Sequence, residues 1–364
     1  MFVGLVVVHE MGHFLVARRN GVKVLEFGIG FPPKLWGRMT RGGYIFSINL
    51  LPLGGFVRLK GEHDGDMDQG DYGVATTFVK VKIMAAGVFM NLLTAFVLLT
   101  IIAWLGMPQL IANQFKISND NKIIANKVLI TYVETNSPAF DTGIKVNDQL
   151  YSIGKINGEQ IPLSGSNNLQ KITSSLAGQK VNVVYKRSSQ TFNKTTTLRT
   201  KNVVRASQKT NNPKGYFGVV DQPFVLERST WSAPVVALGL IKQFTVLTFK
   251  GLGTLVVGLF HGDTKKATAQ VAGPIGIYFI LKNGSELGYQ FILLIIAVIS
   301  LTLAIMNILP IPALDGGRLF ITLASRLFRI RISPKTEDII HGTGFLVLMV
   351  LIILISIVDV KRFF

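Results

Sequence analysis

Ile83 to Met107 reads IMAAGVFMNLLTAFVLLTIIAWLGM, a stretch without a single charged side chain. A helix rises about 1.5 Å per residue and a bilayer's hydrocarbon core is about 30 Å thick, so about 20 apolar residues suffice to cross it. The stretch therefore predicts a membrane-spanning helix over 83–107. Two further runs repeat the pattern. Leu287 to Leu314 is uncharged, with Asn307, Pro310 and Pro312 near its end, and Ile339 to Val358 is uncharged with one histidine, His341.

Met1 to Ala17 is shorter and apolar except for His9, Glu10 and His13, and it ends at Arg18-Arg19. At about 1.5 Å per residue it reaches only about 25 Å, so it either crosses incompletely or begins inside the first helix. Its basic residues follow the apolar part instead of preceding it, and no small-residue cleavage site is visible, which favours a retained helix over a signal peptide. Trp231 to Phe260 is interrupted by Lys242 and Lys250. It is expected to form a pair of interfacial amphipathic helices within 229–286, in preference to a fifth span.

The composition agrees with a membrane protein. The chain has 364 residues, 38 Lys+Arg against 20 Asp+Glu and a formal charge of +18, yet only 16% of it is charged and 49% is hydrophobic. A soluble nucleic-acid binder would spread such charge over a polar surface, so nucleic acid is excluded and the lipid bilayer becomes the expected partner. Ten basic residues lie in Arg18 to Lys82 and five in Gly316 to Lys335, which assigns both segments to the cytoplasmic face. The long segment 108–228 is also basic, but domains of that length cross regardless of charge and it is expected outside. There is no cysteine, which excludes disulfides, thiolate metal ligands and a cysteine nucleophile.

His9-Glu10-Met11-Gly12-His13 is an HExxH pattern. On a helix the imidazoles at i and i+4 stand about 40° apart on one face, where both can reach one zinc ion. Glu10 lies beside them, placed to take a proton from water as a general base. A chance match in this composition has a probability of about 0.001. The competing reading has His9 and His13 near the headgroups and Glu10 paired with Arg18 or Arg19. Ionisable residues inside an apolar segment cost several kcal/mol unless they bind something, which favours the metal. The site must then line a cavity, since dry hydrocarbon supplies no water.

Two imidazoles leave a catalytic zinc one protein ligand short. Within or at the end of the three long runs the only carboxylate is Asp315, in Asn307-Ile308-Leu309-Pro310-Ile311-Pro312-Ala313-Leu314-Asp315-Gly316-Gly317. Asp315 is thus the expected third ligand, its alternative role being to cap the helix that follows. Pro310 and Pro312 break the helix beside it, and unwound backbone at membrane depth is tolerated only against a cavity or buried in protein.

With these motifs in this order, the sequence resembles the site-2 protease family of intramembrane zinc metalloproteases, in its bacterial regulator-of-sigma-E branch. The resemblance also rests on Gly87-Val88-Phe89-Met90-Asn91, on Ile48-Asn49-Leu50-Leu51-Pro52-Leu53-Gly54-Gly55-Phe56-Val57-Arg58-Leu59 and on Gly273-Pro274-Ile275-Gly276. It implies that His9, His13 and Asp315 bind Zn2+ and that Glu10 activates water. It further implies that Asn91 lies close to the active centre, and that Asn307 with the backbone around Pro310 and Pro312 holds an extended substrate. A β-hairpin over about 44–60, with Gly54-Gly55 at its break, would dip into the membrane and grip the substrate by strand addition; a surface hairpin is the alternative.

Lys127 to Arg199 resembles a PDZ domain through Ser137-Pro138-Ala139-Phe140-Asp141-Thr142-Gly143-Ile144 and Ile156-Asn157-Gly158-Glu159. The expected architecture is a polytopic α-helical membrane protein of about four spans (1–17, 83–107, 287–317 and 339–358). It carries a cytoplasmic-side loop over 18–82 with the hairpin, a second loop over 318–338 and one inserted extracytoplasmic PDZ-like α+β domain. The expected activity is cleavage within the membrane of single-span proteins: an anti-sigma factor, a signal-peptide remnant or a pheromone precursor. The alternatives are a non-catalytic PDZ membrane scaffold with a structural metal site, and a metal or proton transporter.

Overall fold

The computed structural model describes all residues except 63–67, 165–166, 188, 263–272, 331 and 364. The chain divides into two compact units. The first comprises Met1–Thr100, Ala237–Phe279 and Ile295–Phe364; the second comprises Ile101–Val236 and Ile280–Leu294.

The first unit opens with helix α1 (Phe2–Arg19), whose last turn carries Arg18 and Arg19, cations that suit the negative end of a helix. The chain turns through Gly21 at φ +79° into strand β1 (Val24–Met39), which pairs antiparallel with β2 (Ile45–Leu59). The register doubles back on itself. Glu26, Phe27, Gly28 and Ile29 face Arg58, Val57, Phe56 and Gly55 on one side and Ile45, Phe46, Ser47 and Ile48 on the other. Trp36 to Met39 then meet Ile48 to Ile45, making a folded ribbon in which Pro32 and Pro33, lacking amide donors, mark a break.

The expected hairpin over 44–60 is thus only half of the sheet. Its tight turn lies at Thr40–Tyr44, where the Thr40 amide donates to the Tyr44 carbonyl at 2.8 Å, while Pro52-Leu53-Gly54-Gly55 runs inside β2. Phe14 of α1 packs edge-on against Phe27 and Tyr44, and Ala17, Val24, Leu59, Tyr72, Ile83 and Met84 complete a buried cluster beneath the ribbon.

Helix α2 (Thr77–Leu105) follows and presses closely on α1. A Cβ added at Gly12 would lie 2.5 Å from the Ala86 carbonyl oxygen and 2.8 Å from Met90 Cγ, so only glycine permits this approach. Among the described residues four helices are long and apolar enough to cross a membrane: Thr77–Leu105, Ala233–Gly258, Tyr289–Ile308 and Pro334–Lys361. With the family assignment given below, they make this a multi-pass membrane protein.

The set of spans differs from expectation at two places. α1 falls outside it, because His9, Glu10, His13, Arg18 and Arg19 interrupt its 18 residues. Ala233–Phe260 is one continuous 28-residue helix, α6, in place of an interfacial pair. Lys242 and Lys250 are both exposed on it, and lysine stems lie along apolar surface while the ammonium reaches outward. Of the remainder of the expected interfacial region, 263–272 lie outside the described residues, and α7 (Pro274–Gly284) follows.

Helix α8 (Tyr289–Ile308) stops before Pro310, and α9 (Asp315–Phe328) starts at the aspartate itself, within the segment expected as one span over 287–317 and running on through most of the expected loop over 318–338. Helix α10 (Pro334–Phe363) ends the chain, its Asp359 carboxylate accepting the Gly276 amide at 2.8 Å.

The second unit is built on a seven-stranded sheet. β4 (Lys122–Val133), β5 (Gln149–Lys155), β7 (Lys180–Arg187) and β8 (Gln190–Thr197) are neighbours in that order. β9 (Val219–Arg228) flanks β4, the two-residue β3 (Met107–Pro108) flanks β9, and β6 (Gln160–Pro162) flanks β5. The sheet exceeds the expected limits of 127–199 because β9 pairs with β4 from Lys122↔Arg228 to Val133↔Val219.

Val128 and Ile130 alternate along β4 and Val181 and Val183 along β7, and Leu150 and Ile153 join them across a register shift in β5, in one core closed by Ala139 of the short helix α3 (Pro138–Asp141) and Leu169 of α4 (Asn167–Ser175). A further short helix, α5 (Lys201–Ser207), is capped by Thr200. Asp120 receives the hydroxyls and amides of Thr230 and Ser232; the Thr230 hydroxyl foremost holds its carboxyl well below the usual carboxylate range.

Asp148, 1% exposed, is held by both arms of the Arg187 guanidinium at 2.7 Å and by the Lys145 amide at 2.8 Å. Removing the guanidinium strands a buried carboxylate. Arg187→Leu is expected to destabilise this unit by roughly 2 kcal/mol, seen as earlier thermal loss of tyrosine near-UV dichroism, with zinc content unchanged.

Candidate metal centre

α1 presents His9 and His13 one turn apart, both buried. Their Nε2 atoms lie 3.2 Å from each other, and Asp315 Oδ2 lies 3.0 Å from His9 Nε2 and 3.1 Å from His13 Nε2. Three donor atoms from residues 302 positions apart in the chain therefore converge on one point. Among the described residues this is the one group of histidines and carboxylates so arranged.

The donor set fits zinc. A tetrahedral ion with bonds of about 2.0–2.1 Å places neighbouring ligand atoms roughly 3.3 Å apart, close to the three separations found. Ligation through Nε2 requires the ring proton on Nδ1, and His13 meets that requirement: its Nδ1 lies 2.7 Å from the buried Ile83 carbonyl, which can only accept.

For His9 the partner is Asn91, 1% exposed, whose side-chain nitrogen lies 3.3 Å from His9 Nδ1 while its buried Oδ1 has no partner among the described residues. Turning that amide over satisfies both groups. Oδ1 then accepts from Nδ1–H, and Nε2 is left free to bind metal. Asn91, expected close to the active centre, is engaged with the back of an imidazole. Its main-chain carbonyl accepts the Ser300 hydroxyl at 2.8 Å.

Helix α2 makes room for the pair. A Cβ at Gly87 would stand 2.3 Å from His13 Nε2 and 2.7 Å from His9 Nε2, so the helix backbone itself closes this side of the site.

Asp315 is the first residue of α9. Leu314 precedes it as N-cap without a side-chain bond, so the aspartate faces the imidazoles and does not act as the cap. Glu10 is half-buried beside them, with the Val57 backbone within hydrogen-bonding reach of its carboxyl group. A cavity of about 380 Å³ lies over the centre, lined by Glu10, His13 and Asp315, by Phe56, Val57, Arg58 and Leu59 of β2, and by Glu62, Ile83, Met84 and Arg318.

Gly55 packs against Glu10: a Cβ there would meet Glu10 Cγ at 3.4 Å, and one at Gly54 would collide with the Phe31 ring. Asn307 is half-buried in the last turn of α8, and no hydrogen bond joins it to the cluster among the described residues. Pro310 is exposed and Pro312 half-buried, packed on α10.

Gly87 and the Ile83 carbonyl were not legible as parts of the site. Gly87 lies in a quoted motif, yet nothing in a single sequence says which partner a helical glycine approaches, and a backbone carbonyl has no residue signature.

The family model "Peptidase family M50" matches residues 1–351. A Clostridium acetobutylicum protein named as a candidate zinc metalloprotease is 31% identical over 98% of this chain and 94% of its own length. One of that name from Clostridium perfringens is 30% identical over 99% and 96%, and one from Fusobacterium nucleatum is 27% identical over 100% and 98%. With a convergent centre whose ligand set suits zinc, and a match running through nearly the whole length, the chain belongs to peptidase family M50, the site-2 proteases, and is a zinc metalloprotease.

Proposed function

We propose that the protein is an intramembrane endopeptidase performing regulated intramembrane proteolysis, hydrolysing a peptide bond within the membrane segment of single-span proteins. The observation that carries this reading is the meeting of His9 Nε2, His13 Nε2 and Asp315 Oδ2 beside Glu10, under a cavity walled by a strand. His9, His13 and Asp315 would hold the zinc. When bound, the ion supplies Lewis acidity, polarising the scissile carbonyl and bringing the pKa of water towards neutrality. Three protein ligands among the described residues leave a position open, which favours catalysis over the structural site of a scaffold.

Glu10 takes a proton from the attacking water and returns it to the leaving amine nitrogen. Asn91 and the Ile83 carbonyl fix the orientation and tautomer of the two imidazoles. The substrate must be extended to be cut, because a helical peptide bond is shielded by its own side chains and hydrogen bonds. Among the described residues Gly55–Leu59 pair with β1 on one edge only, and Phe56–Leu59 line the cavity, so main-chain groups of Phe56–Arg58 on the other edge would meet an unwound substrate strand. The backbone around Pro310 and Asn307 would support the same strand from the opposite side.

The distribution of Lys and Arg supports a centre opening towards the cytoplasm and a sheet unit outside the cell, where it filters substrates by the bulk of their outer parts. Anti-sigma factors, signal-peptide remnants and peptide-pheromone precursors all meet the requirement of one span.

In reconstituted enzyme Glu10→Gln should keep one zinc per chain while cleavage of a model single-span substrate falls by a factor on the order of 10² to 10⁴. Retained cleavage would overturn the proton-transfer role. Gly87→Ala should lower zinc per chain, measured by metal analysis after chelator washing, because the methyl group occupies the space of both Nε2 atoms. Undiminished zinc in that variant contradicts the placement of the ligands.

A further inference from the structure

The segment that carries Asp315 has few bonds of its own. Between Ile308, where α8 ends, and Asp315, where α9 begins, Pro310 and Pro312 have no amide hydrogen to donate. The Ile311 and Leu314 amides bond inside the segment, to the carbonyls of Leu309 at 2.7 Å and Ile311 at 3.1 Å. Ala313 stands at φ +77°, a left-handed conformation that residues other than glycine seldom adopt unless their surroundings hold them there. The Leu309 amide donates back to the Met306 carbonyl of α8 at 3.2 Å, and among the described residues the Ala313 amide is the one that reaches beyond the flanking helices: it donates to His341 Nδ1 of α10 at 3.1 Å.

Gly344, three residues on and on the same face of α10, brings the helix against the segment. A Cβ there would lie 2.5 Å from Pro312 Cβ and 2.6 Å from the Pro312 carbonyl oxygen. Most of α10 is exposed or half-buried. The His341 ring has no second hydrogen bond among the described residues, since its Nε2 is buried without a partner. A polar side chain on a membrane helix is thus committed to a single backbone amide, two residues before the carboxylate of the metal centre.

We propose that His341 is a positioning residue for the centre. By accepting the Ala313 amide it holds the left-handed turn that aims Leu314 and Asp315 at His9 and His13, and Gly344 provides the close contact that lets it do so. The proposal rests on Asp315 being a zinc ligand. His341 touches neither the metal nor the substrate, so its influence passes entirely through the loop geometry, as outer-shell groups act on the ligands they orient.

The test compares His341→Leu, His341→Asn and Asp315→Ala with wild type in the full-length chain in detergent. Zinc affinity is measured by competition with a chromophoric chelator, and backbone exchange over 309–317 by hydrogen–deuterium mass spectrometry of the zinc-free protein. Leucine has nearly the ring's bulk and no acceptor; its variant should bind zinc about 10 to 100 times more weakly and exchange faster over 309–317. Asparagine places Oδ1 where Nδ1 stood, and its variant should recover both properties. Unfolding temperature should be the same in both His341 variants, which separates a local brace from a general packing role.

Wild-type affinity and exchange in His341→Leu, or an Asn variant as impaired as the Leu variant, overturns the proposal. Loss of zinc in Asp315→Ala alongside an unaffected His341→Leu removes the brace and leaves the ligand set intact. Full zinc affinity in Asp315→Ala removes both.

Discussion

The close approach of α1 and α2 governs the first unit. Gly12 admits the Ala86 carbonyl, and the next residue of α2, Gly87, admits the imidazoles of α1, so the two backbones come together where HExxH lies. With the helices at that distance the Ile83 carbonyl falls within 2.7 Å of His13 Nδ1, and Asn91, one turn beyond Gly87, meets His9 Nδ1. Small residues at a helix contact are the usual means of close packing in membranes, where apolar burial supplies little net drive. Here they also decide the chemistry, because each imidazole is oriented from behind by α2 and presents Nε2 forwards. A larger residue at either glycine would separate the helices and detach the histidines from the groups that orient them.

The strand ribbon depends on the same packing. Phe14 and Ala17 of α1 and Ile83 and Met84 of α2 form the floor on which Phe27 and Leu59 sit, which brings Gly55 against Glu10 and Phe56–Leu59 along the cavity. The pattern of apolar residues identified β2 as strand-forming, but alternation does not specify a partner. The double register of Glu26–Ile29 is a long-range fact, set by the turn at Thr40–Tyr44 and by aromatic contacts with α1. Sequence reading therefore found the strand and missed half of the sheet.

What was legible was local or exceptional. HExxH is a spacing of one helical turn, readable from adjacent letters. Asp315 stood out as the sole carboxylate at the end of an apolar run, and the alternative of a helix cap was reasonable because a helix does start there. Lys242 and Lys250 argued for an interfacial pair over Trp231 to Phe260, whereas both lie exposed on one continuous helix, α6. Proximity of Asn91 to the centre was implied by its motif, whereas facing His9 depends on the rotation of α2. His341 gave no signal, because its partner is a backbone amide rather than a side chain and lies 28 residues away.

These contacts also explain why the carboxylate is delivered by a broken helix. A continuous helix through 308–315 would satisfy its own amides and leave no reason for α10 to approach. Pro310 and Pro312 remove two donors and force an irregular turn, whose remaining amide at Ala313 needs an acceptor that hydrocarbon cannot provide. His341 meets that need, and Gly344 allows the approach. The irregular backbone is tolerated because it packs on α10 at Pro312 and lines a cavity at Ala313, Leu314 and Asp315, and it allows α9 to begin at Asp315 with the side chain aimed back at α1. Had the aspartate sat in mid-helix, its direction would have followed the helical rotation, and the oxygen that now lies 3.0 and 3.1 Å from the two Nε2 atoms would have been set by the pitch of α8 instead of by a loop that a neighbouring helix can hold.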